Sequence, residues 1–292
     1  MPSPAHPPVQ LHALTWNLFH GRDFPPDPGL FTGRSRWFRR TTLNATHVQV
    51  NRSLLREFAQ VLAAARWSVC LLQECPPAWA RRLAEASNAT AFRTLTSRNQ
   101  LRFARRLAGR CNPDLMGAAE GGSNVILFRQ PWSLIESRSI LVNPLRERGL
   151  RERRRMGLVR LGAGPTAVCV GNVHLSTGPR AQTERELNRA AAAAVTWAAT
   201  DPLLLGGDFN MRPWSSTVYG GLERRFGLEV ATAPDAIDHL LVRGMRIVES
   251  PHAWTPARRE LQVDTAAGPR RLRLSDHAPV QAAFVLDSTR MP

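Results

Sequence analysis

Residues 203–213 read L-L-L-G-G-D-F-N-M-R-P. An apolar run of strand type ends in two glycines, and Asp208 and Asn210 follow with one residue between them. Residues i and i+2 of an extended segment share a face, so this carboxylate and this amide are expected to project together from a strand end. Such a pair can hold a water, a cation or a phosphate oxygen. The same arrangement recurs along the chain. Residues 14–17 (L-T-W-N) end in the amide of Asn17, and residues 69–74 (V-C-L-L-Q-E) end in the carboxylate of Glu74. Residues 167–174 (A-V-C-V-G-N-V-H) place Asn172 and His174 at i and i+2. Residues 236–242 (A-I-D-H-L-L-V) carry Asp238 inside a strand-like run, and residues 274–280 (L-S-D-H-A-P-V) place Asp276 and His277 before a last apolar run. A strand-end Asn or Asp by itself is more often a turn former than a ligand. Six such sites, drawn from Asn, Glu, His and Asp, make a set suited to acid–base and metal chemistry.

The ordered set W-N, L-Q-E, N-V-H-L, G-D-F-N, I-D-H-L-L and S-D-H-A-P-V resembles the endonuclease/exonuclease/phosphatase superfamily. That group includes pancreatic-type deoxyribonucleases, exonuclease III-type AP endonucleases, neutral sphingomyelinases and inositol polyphosphate 5-phosphatases. The resemblance runs from Asn17 to His277 in the family's order, and G-D-F-N and S-D-H-A-P-V are its specific motifs. It implies an α/β (α+β) fold, a four-layer α/β/β/α sandwich of two packed mixed β-sheets flanked by helices. It also implies Mg²⁺-dependent hydrolysis of phosphoric esters, with Mn²⁺ as the substitute ion.

Phosphodiester cleavage needs a metal to neutralise the phosphate, an activated water and help for the leaving oxygen. Mg²⁺ is hard and prefers oxygen ligands. On the resemblance, Glu74 is the expected ligand, Asn17 supports it through its amide oxygen, and Asp276 is a third candidate. His277 is expected to handle the attacking water or stabilise the phosphorane-like transition state. Asp238 is its expected partner, since a carboxylate on Nδ1 fixes the tautomer and leaves Nε2 facing the reaction. Asp238 matches the acid of the family's R-x-D-Y segment, where His239 here replaces the tyrosine and Ala236 the arginine. Asp208 and Asn210 would position the nucleophilic water and a phosphate oxygen, with Asp208 either the base or an orienter. Asn172 is expected to bind phosphate, and His174 to donate to a phosphate oxygen or protonate the leaving group. Family AP endonucleases carry a tyrosine and P-N near N-V-H-L. This chain has only Tyr219, far downstream, so its N-V-H-L-S-T is closer to the deoxyribonuclease and sphingomyelinase style. His20, in W-N-L-F-H-G, is expected to pack its own loop.

The elements that must position these residues can be sketched. Residues 48–66 carry apolar residues at helical spacing and predict a helix over a sheet, and residues 79–86 predict a short one. Residues 183–186 (T-E-R-E) fit a capping box before an alanine-rich helix, which Asp201-Pro202 stops. Residues 122–128, 132–142, 245–249, 271–274 and 280–286 read as strands. Residues 19–42 form a long loop that Trp37 and Phe38 are expected to pack down, and residues 95–119 read as an irregular arginine-rich insertion.

The proposed site draws on both ends of a 292-residue chain, so one domain over residues 11–287 is expected, with a flexible tail at 1–10 and a C-terminal tail at 288–292. No apolar run approaches the ~20 residues of a membrane span, and no basic n-region precedes an apolar stretch. A cytoplasmic monomer is the expectation. The four cysteines show no paired metal spacing, and Cys70 and Cys169 read as small core residues. All 39 basic residues are arginine and the net charge is +16. The lack of lysine beside abundant alanine marks a bias of the whole composition, so the charge is partial support for a polyanionic partner. It places nucleic acid ahead of a lipid or inositol-phosphate headgroup. The arginines cluster at 34–40, 98–110 and 146–155, the last run glutamate-rich and read as solvated. A phosphomonoesterase and a catalytically silent nucleic-acid-binding module are the competing readings, and the intact motifs weigh against the second.

Overall fold

In β1 (Val9–Asn17), Leu11 and Ala13 face one way and Leu14 and Trp16 the other, and all four are fully buried. A strand apolar on both faces belongs between two layers. The computed structural model describes residues 9–96, 102–114, 122–143, 153–230 and 235–286. The next strands are β2 (Thr42–Leu43), β3 (Val48–Gln49), β4 (Val69–Cys75), β5 (Thr90–Leu95), β6 (Ser123–Phe128), β7 (Ser133–Leu141) and β8 (Arg155–Ala163). They are followed by β9 (Thr166–His174), β10 (Leu203–Asp208), β11 (Asp238–Arg243), β12 (Arg246–Ala253), β13 (Glu260–Thr265), β14 (Gly268–Arg273) and β15 (Val280–Leu286). The helices are α1 (Gly33–Phe38), α2 (Leu55–Ala64), α3 (Ala80–Ala86), α4 (Arg102–Cys111), α5 (Arg180–Ala198) and α6 (Val218–Phe226).

One sheet runs β12-β15-β1-β4-β6-β5 and the other β11-β10-β9-β8-β7. Both are mixed, since β1 and β4 pair in parallel, as do β9 and β10, among antiparallel neighbours. The inner faces meet through Leu11, Leu71, Ile126, Val170, Leu204 and Phe284. Phe58, Leu62 and Leu83 of α2 and α3 cover the outer face of the first sheet at Leu14, Leu72 and Leu127. Leu187, Ala190, Ala194 and Leu222 of α5 and α6 cover the second at Leu158, Leu203 and Leu205. This is the four-layer α/β/β/α sandwich. Among the described residues no helix is long and apolar enough to cross a membrane, and all four cysteines are free thiols.

Several local expectations are corrected. The helix expected over 48–66 starts at Leu55, because Val48 and Gln49 are spent pairing with Leu43 and Thr42. The T-E-R-E segment is no cap. Its helix begins three residues earlier behind Pro179, and Thr183 and Glu186 lie buried inside it. Thr183 Oγ1 donates to the Ser176 carbonyl, while the Ser176 N–H and hydroxyl donate to Glu186, each at 2.9 Å, so the motif ties α5 to the exit of β9. The insertion at 95–119 contains α4, with 97–101 and 115–121 outside the described residues. Trp37 and Phe38 do not pack their loop down. They end the six-residue α1, too short to bury both faces, and stand 67% and 73% exposed. The expected tails fall largely outside the described residues, as do Arg98, Arg146, Arg148 and Arg151.

Candidate active site

Strand parity builds the site. Leu11 and Ala13 put Asn17 on the inner face of β1, Val168 and Val170 put His174 on that of β9, and Leu204 puts Asp208 on that of β10. Leu240 and Val242 do the same for Asp238 in β11. With a period of 2, four strand ends thus aim into one end of the gap between the sheets. Register completes the alignment, for Asp208 stands opposite His174 in β9 and opposite Asp238 in β11. Gly207 before it has φ +135° and a Cβ there would overlap the Val173 carbonyl, so only glycine lets β10 lie this close to β9.

Asp208, 1% exposed, is the hub. Its Oδ2 accepts the Asn17 amide at 2.9 Å and lies 3.4 Å from His174 Nε2 and 3.8 Å from His277 Nε2. Its Oδ1 accepts the Asn210 N–H at 2.9 Å. Asn210 is not on an extended face with it. The strand stops at Asp208, Asn210 turns with φ +52°, and its amide donates to the Leu175 carbonyl. His277 arrives from the loop before β15. Its Nδ1 donates to Asp238 Oδ2 at 2.7 Å. Ser275, fully buried with φ +57°, pins that loop by donating to the Asn17 carbonyl and accepting the His277 N–H.

Glu74 has the wrong parity for the inner face. A register shift between Leu72 and Cys75 and a φ of +48° turn it into the site. There its Oε1 lies 3.9 Å from His174 Nε2 and its Oε2 3.2 Å from His20 Nε2. His20 therefore belongs at the site rather than packing its loop. Phe19, His20, Glu74, Asn210 and Ser275 are five of the eight non-glycine residues with positive φ among those described, and all flank this cleft. Backbone in sparsely populated regions clusters where geometry is imposed.

Asn172 is corrected. It lies one inner-face position deeper than His174 and is fully buried. Its Oδ1 accepts Gln73 Nε2 at 2.8 Å, and its Nδ2 donates to the Leu72 and Val125 carbonyls. Those bonds lace the two sheets together under the site and leave the amide no path to a phosphate. Arg154 is corrected too, because the third arginine run is not wholly solvated. Arg154 is 8% exposed, and its Nη1 donates to His174 Nδ1 at 3.0 Å. No sequence pattern distinguished Arg154 from Arg153 or Arg155. His20 and Ser275 were the other residues of the cleft that sequence reasoning did not assign to it, although the place of Ser275 beside Asp276 and His277 was a usable signal.

The charges sort into roles. Burial first, then Arg154 and His277, hold His174 well below the usual imidazole range. It is neutral, and since Nδ1 is the acceptor, its proton sits on Nε2 facing Asp208 and Glu74. His277 moves the other way. Burial opposes its charge, but Asp238, Asp208 and Asp276 push it up to about 10, so it is an imidazolium at neutral pH. Asp208 is raised by burial foremost and then by the like charge of Asp238. Asp276 is raised by burial and, further, by Glu74.

That last strain bears on a metal. Glu74, the Asp276 carboxylate whose proton affinity it raises, and the nearby Asn17 amide oxygen, which accepts the Phe19 N–H at 2.9 Å, form a hard-oxygen set that fits a divalent cation. Asp208, Asp238 and His277 also lie with ligand atoms within 4.8 Å of one another. The His277 Nδ1 there is committed to Asp238, which suits a proton-handling group better than a cage.

A family model described as "Endonuclease/Exonuclease/phosphatase family" matches residues 14–277. No curated protein matches the chain. Among solved structures, an endonuclease/exonuclease/phosphatase family protein from Bacteroides thetaiotaomicron is similar at 14% identity and TM-score 0.66, covering 97% of this chain and 100% of that one. A mannosyl-6-phosphatase of B. thetaiotaomicron VPI-5482 is similar at 14% identity and TM-score 0.65, covering 94% and 100%. TDP2 from C. elegans is similar at 14% identity and TM-score 0.57, covering 94% and 75%. At these identities the structures share the fold.

Proposed function

The chain belongs to the endonuclease/exonuclease/phosphatase family of phosphoesterases, and from that membership we propose that it is a Mg²⁺-dependent phosphodiesterase acting on nucleic acid. The observation that carries the reading is the convergence of Asn17, Glu74, Asp208, Asp238 and His277 at one end of the inter-sheet gap. Glu74 would hold the ion with Asn17 and Asp276. When bound, the ion supplies neutralisation of the phosphate charge.

The protein's own groups do the rest. Asp208 orients the attacking water and accepts its proton, since burial has raised its basicity. The His277 imidazolium, held by Asp238, donates to the phosphorane-like oxygens as negative charge builds on them. His174, neutral with its proton on Nε2, donates a hydrogen bond to a phosphate oxygen. A neutral imidazole is a poor source of a whole proton, so this role is favoured over protonating the leaving group. Asn210 steadies Asp208 through its N–H. The net charge of +16 favours a polyanion over a neutral or zwitterionic headgroup.

The test is direct. Purified protein with Mg²⁺ hydrolyses bis-p-nitrophenyl phosphate, EDTA abolishes the reaction, and Asp208→Ala and His277→Ala each abolish it. Unchanged rates in both variants would overturn the assignment. Plasmid nicking measured against sphingomyelin hydrolysis separates nucleic acid from lipid.

A further inference from the structure

The loop between β1 and α1 borders an open pocket that the chemistry above does not use. Its walls are three phenylalanines. Phe19 and Phe24 meet edge-on with centroids 5.8 Å apart, and Phe24 and Phe31 are tilted at 5.1 Å. With Arg22, Arg36, Asp23 and Asp114 they line a volume of about 230 Å³. An apolar cavity of ~150 Å³ admits a benzene ring, so there is room here for a planar heterocycle.

Most polar groups of the lining are already satisfied. Arg22 stacks on the Phe19 ring, its guanidinium carbon 3.8 Å from the centroid, and donates to the Phe19 and Asp114 carbonyls. Asp114 Oδ2 accepts Gln49 Nε2 at 2.6 Å. Asp23 is the exception. It is 1% exposed, its Oδ2 accepts the Val50 N–H at 3.0 Å, Gln49 lies beside the carboxylate, and its buried Oδ1 makes no hydrogen bond of good geometry. A buried oxygen without a partner carries a desolvation cost that a bound donor would remove. Burial, opposed by the Val50 N–H and Gln49 and reinforced by Asp114, pushes Asp23 up to about 8, so it can offer a proton or accept one.

The cavity adjoins the catalytic cleft through continuous chain. The Phe19 N–H donates to Asn17 Oδ1, the Arg22 carbonyl accepts the Ser275 N–H, and Arg22 lies within the fields of Glu74 and Asp276. We propose that this cavity is a nucleobase subsite, in which a substrate's base stacks among Phe19, Phe24 and Phe31 and bonds its polar edge to Asp23 while its phosphate lies at the Glu74–Asp276 side. The proposal rests on the phosphodiesterase reading and names its substrate class, a nucleotide. Two other occupants fit less well. An aromatic cage suits a quaternary ammonium, but Arg22 and Arg36 in the lining repel one. A sugar needs partners for many hydroxyls, and Asp23 is the one buried lining group with an unmet oxygen among the described residues.

Two esters separate the base from the chemistry. Methyl p-nitrophenyl phosphate lacks a base, and thymidine 5′-(p-nitrophenyl phosphate) carries one. Phe24 is 38% exposed, and thermal unfolding of each variant checks that it folds. Phe24→Ala and Phe31→Ala are expected to raise KM for the thymidine ester about tenfold, in line with base–aromatic stacking, and to leave the methyl ester unchanged. In equilibrium dialysis, 5′-AMP binds the wild-type protein about tenfold more tightly than ribose 5-phosphate, and Phe24→Ala removes the difference. Equal effects on both esters, or on neither, overturn the subsite while leaving the enzyme reading intact. Binding of mannose 6-phosphate as tight as that of 5′-AMP and equally sensitive to Phe24 overturns it in favour of a sugar. If neither ester is cleaved but 5′-AMP binding depends on Phe24, the enzyme reading fails and the subsite stands.

Discussion

Asp238 Oδ2 accepts the Nδ1 proton of His277 at 2.7 Å across 39 residues of chain. The bond makes Nε2 the ring nitrogen that faces Asp208 and Asp276, and its charge keeps the ring protonated. Asp238→Asn keeps the shape and removes the charge. The rate on bis-p-nitrophenyl phosphate is expected to fall about 10²- to 10⁴-fold, the range for loss of a general acid–base group or of its orienting carboxylate. Thermal unfolding, measured alongside, shows whether the fold survives. A rate within a factor of about two of wild type would mean that His277 acts without its partner.

Arg154 does for His174 what Asp238 does for His277, with the opposite sign. By donating to Nδ1 at 3.0 Å it holds the ring neutral with the proton on Nε2. It is a positioning residue, since it reaches the cleft only through the imidazole. Arg154→Met is expected to lower kcat on the order of tenfold to hundredfold, the effect of a misplaced reacting group. The same substitution raises the His174 pKa, read by ¹⁵N imidazole shifts across a pH series. An unmoved His174 titration with an unchanged kcat would reduce Arg154 to a packing residue.

Much of this arrangement was legible because strands have a period of 2. The apolar runs 14–17, 167–174, 203–208 and 236–242 already marked Asn17, His174, Asp208 and Asp238 as polar residues of strands, and the period of 2 sets each on an inner face once the sheets are packed. What was not legible broke the period or depended on depth. Glu74 reaches the cleft through a bulge, and Asn210 through a left-handed turn. Asn172 shares its face with His174, yet the packing of one sheet on the other buries it under the site. Arg154 lay in a run of like residues, where burial of one member follows from tertiary packing alone. Trp37 and Phe38 looked like loop anchors, but a helix of six residues offers no broad face against which to bury them.

Glu74 carries the cation argument. Its oxygens lie within 4 Å of two imidazoles, His20 and His174, so its neutral isostere is tolerated locally while losing the ligand charge. Glu74→Gln is expected to raise the Mg²⁺ concentration for half-maximal rate about tenfold or more, since even partners one step removed from a metal ligand alter affinity by that much. Calorimetric titration of Mg²⁺ gives a readout independent of turnover. An unchanged Mg²⁺ requirement would move the ion to Asp208 and Asp238.

His239 yields a prediction about stability rather than rate. It stands where the family pattern has tyrosine, fully buried between the Phe209 and Tyr219 rings, with Nε2–H donating to the Met211 carbonyl at 2.8 Å. Burial, only partly offset by that bond and by Asp238, lowers its pKa from 6.5 to about 4. The unfolded chain therefore takes up a proton as pH falls through about 6.5, and the folded chain does so only near 4. The stability held by neutral His239 is complete above the unfolded value and drains away on acidification between those limits, by roughly 3 kcal/mol in all. Asp23, raised to about 8, works in the reverse direction, gaining as pH falls, so the total curve does not isolate either group. The comparison with His239→Gln does, because glutamine donates the same bond and does not titrate. Urea unfolding of both proteins from pH 7.5 to 4 should show wild type losing ground to the variant by roughly 3 kcal/mol. A difference that stays constant across that window would mean that His239 is protonated, or solvated, in the folded protein, and the buried neutral ring would have to be abandoned.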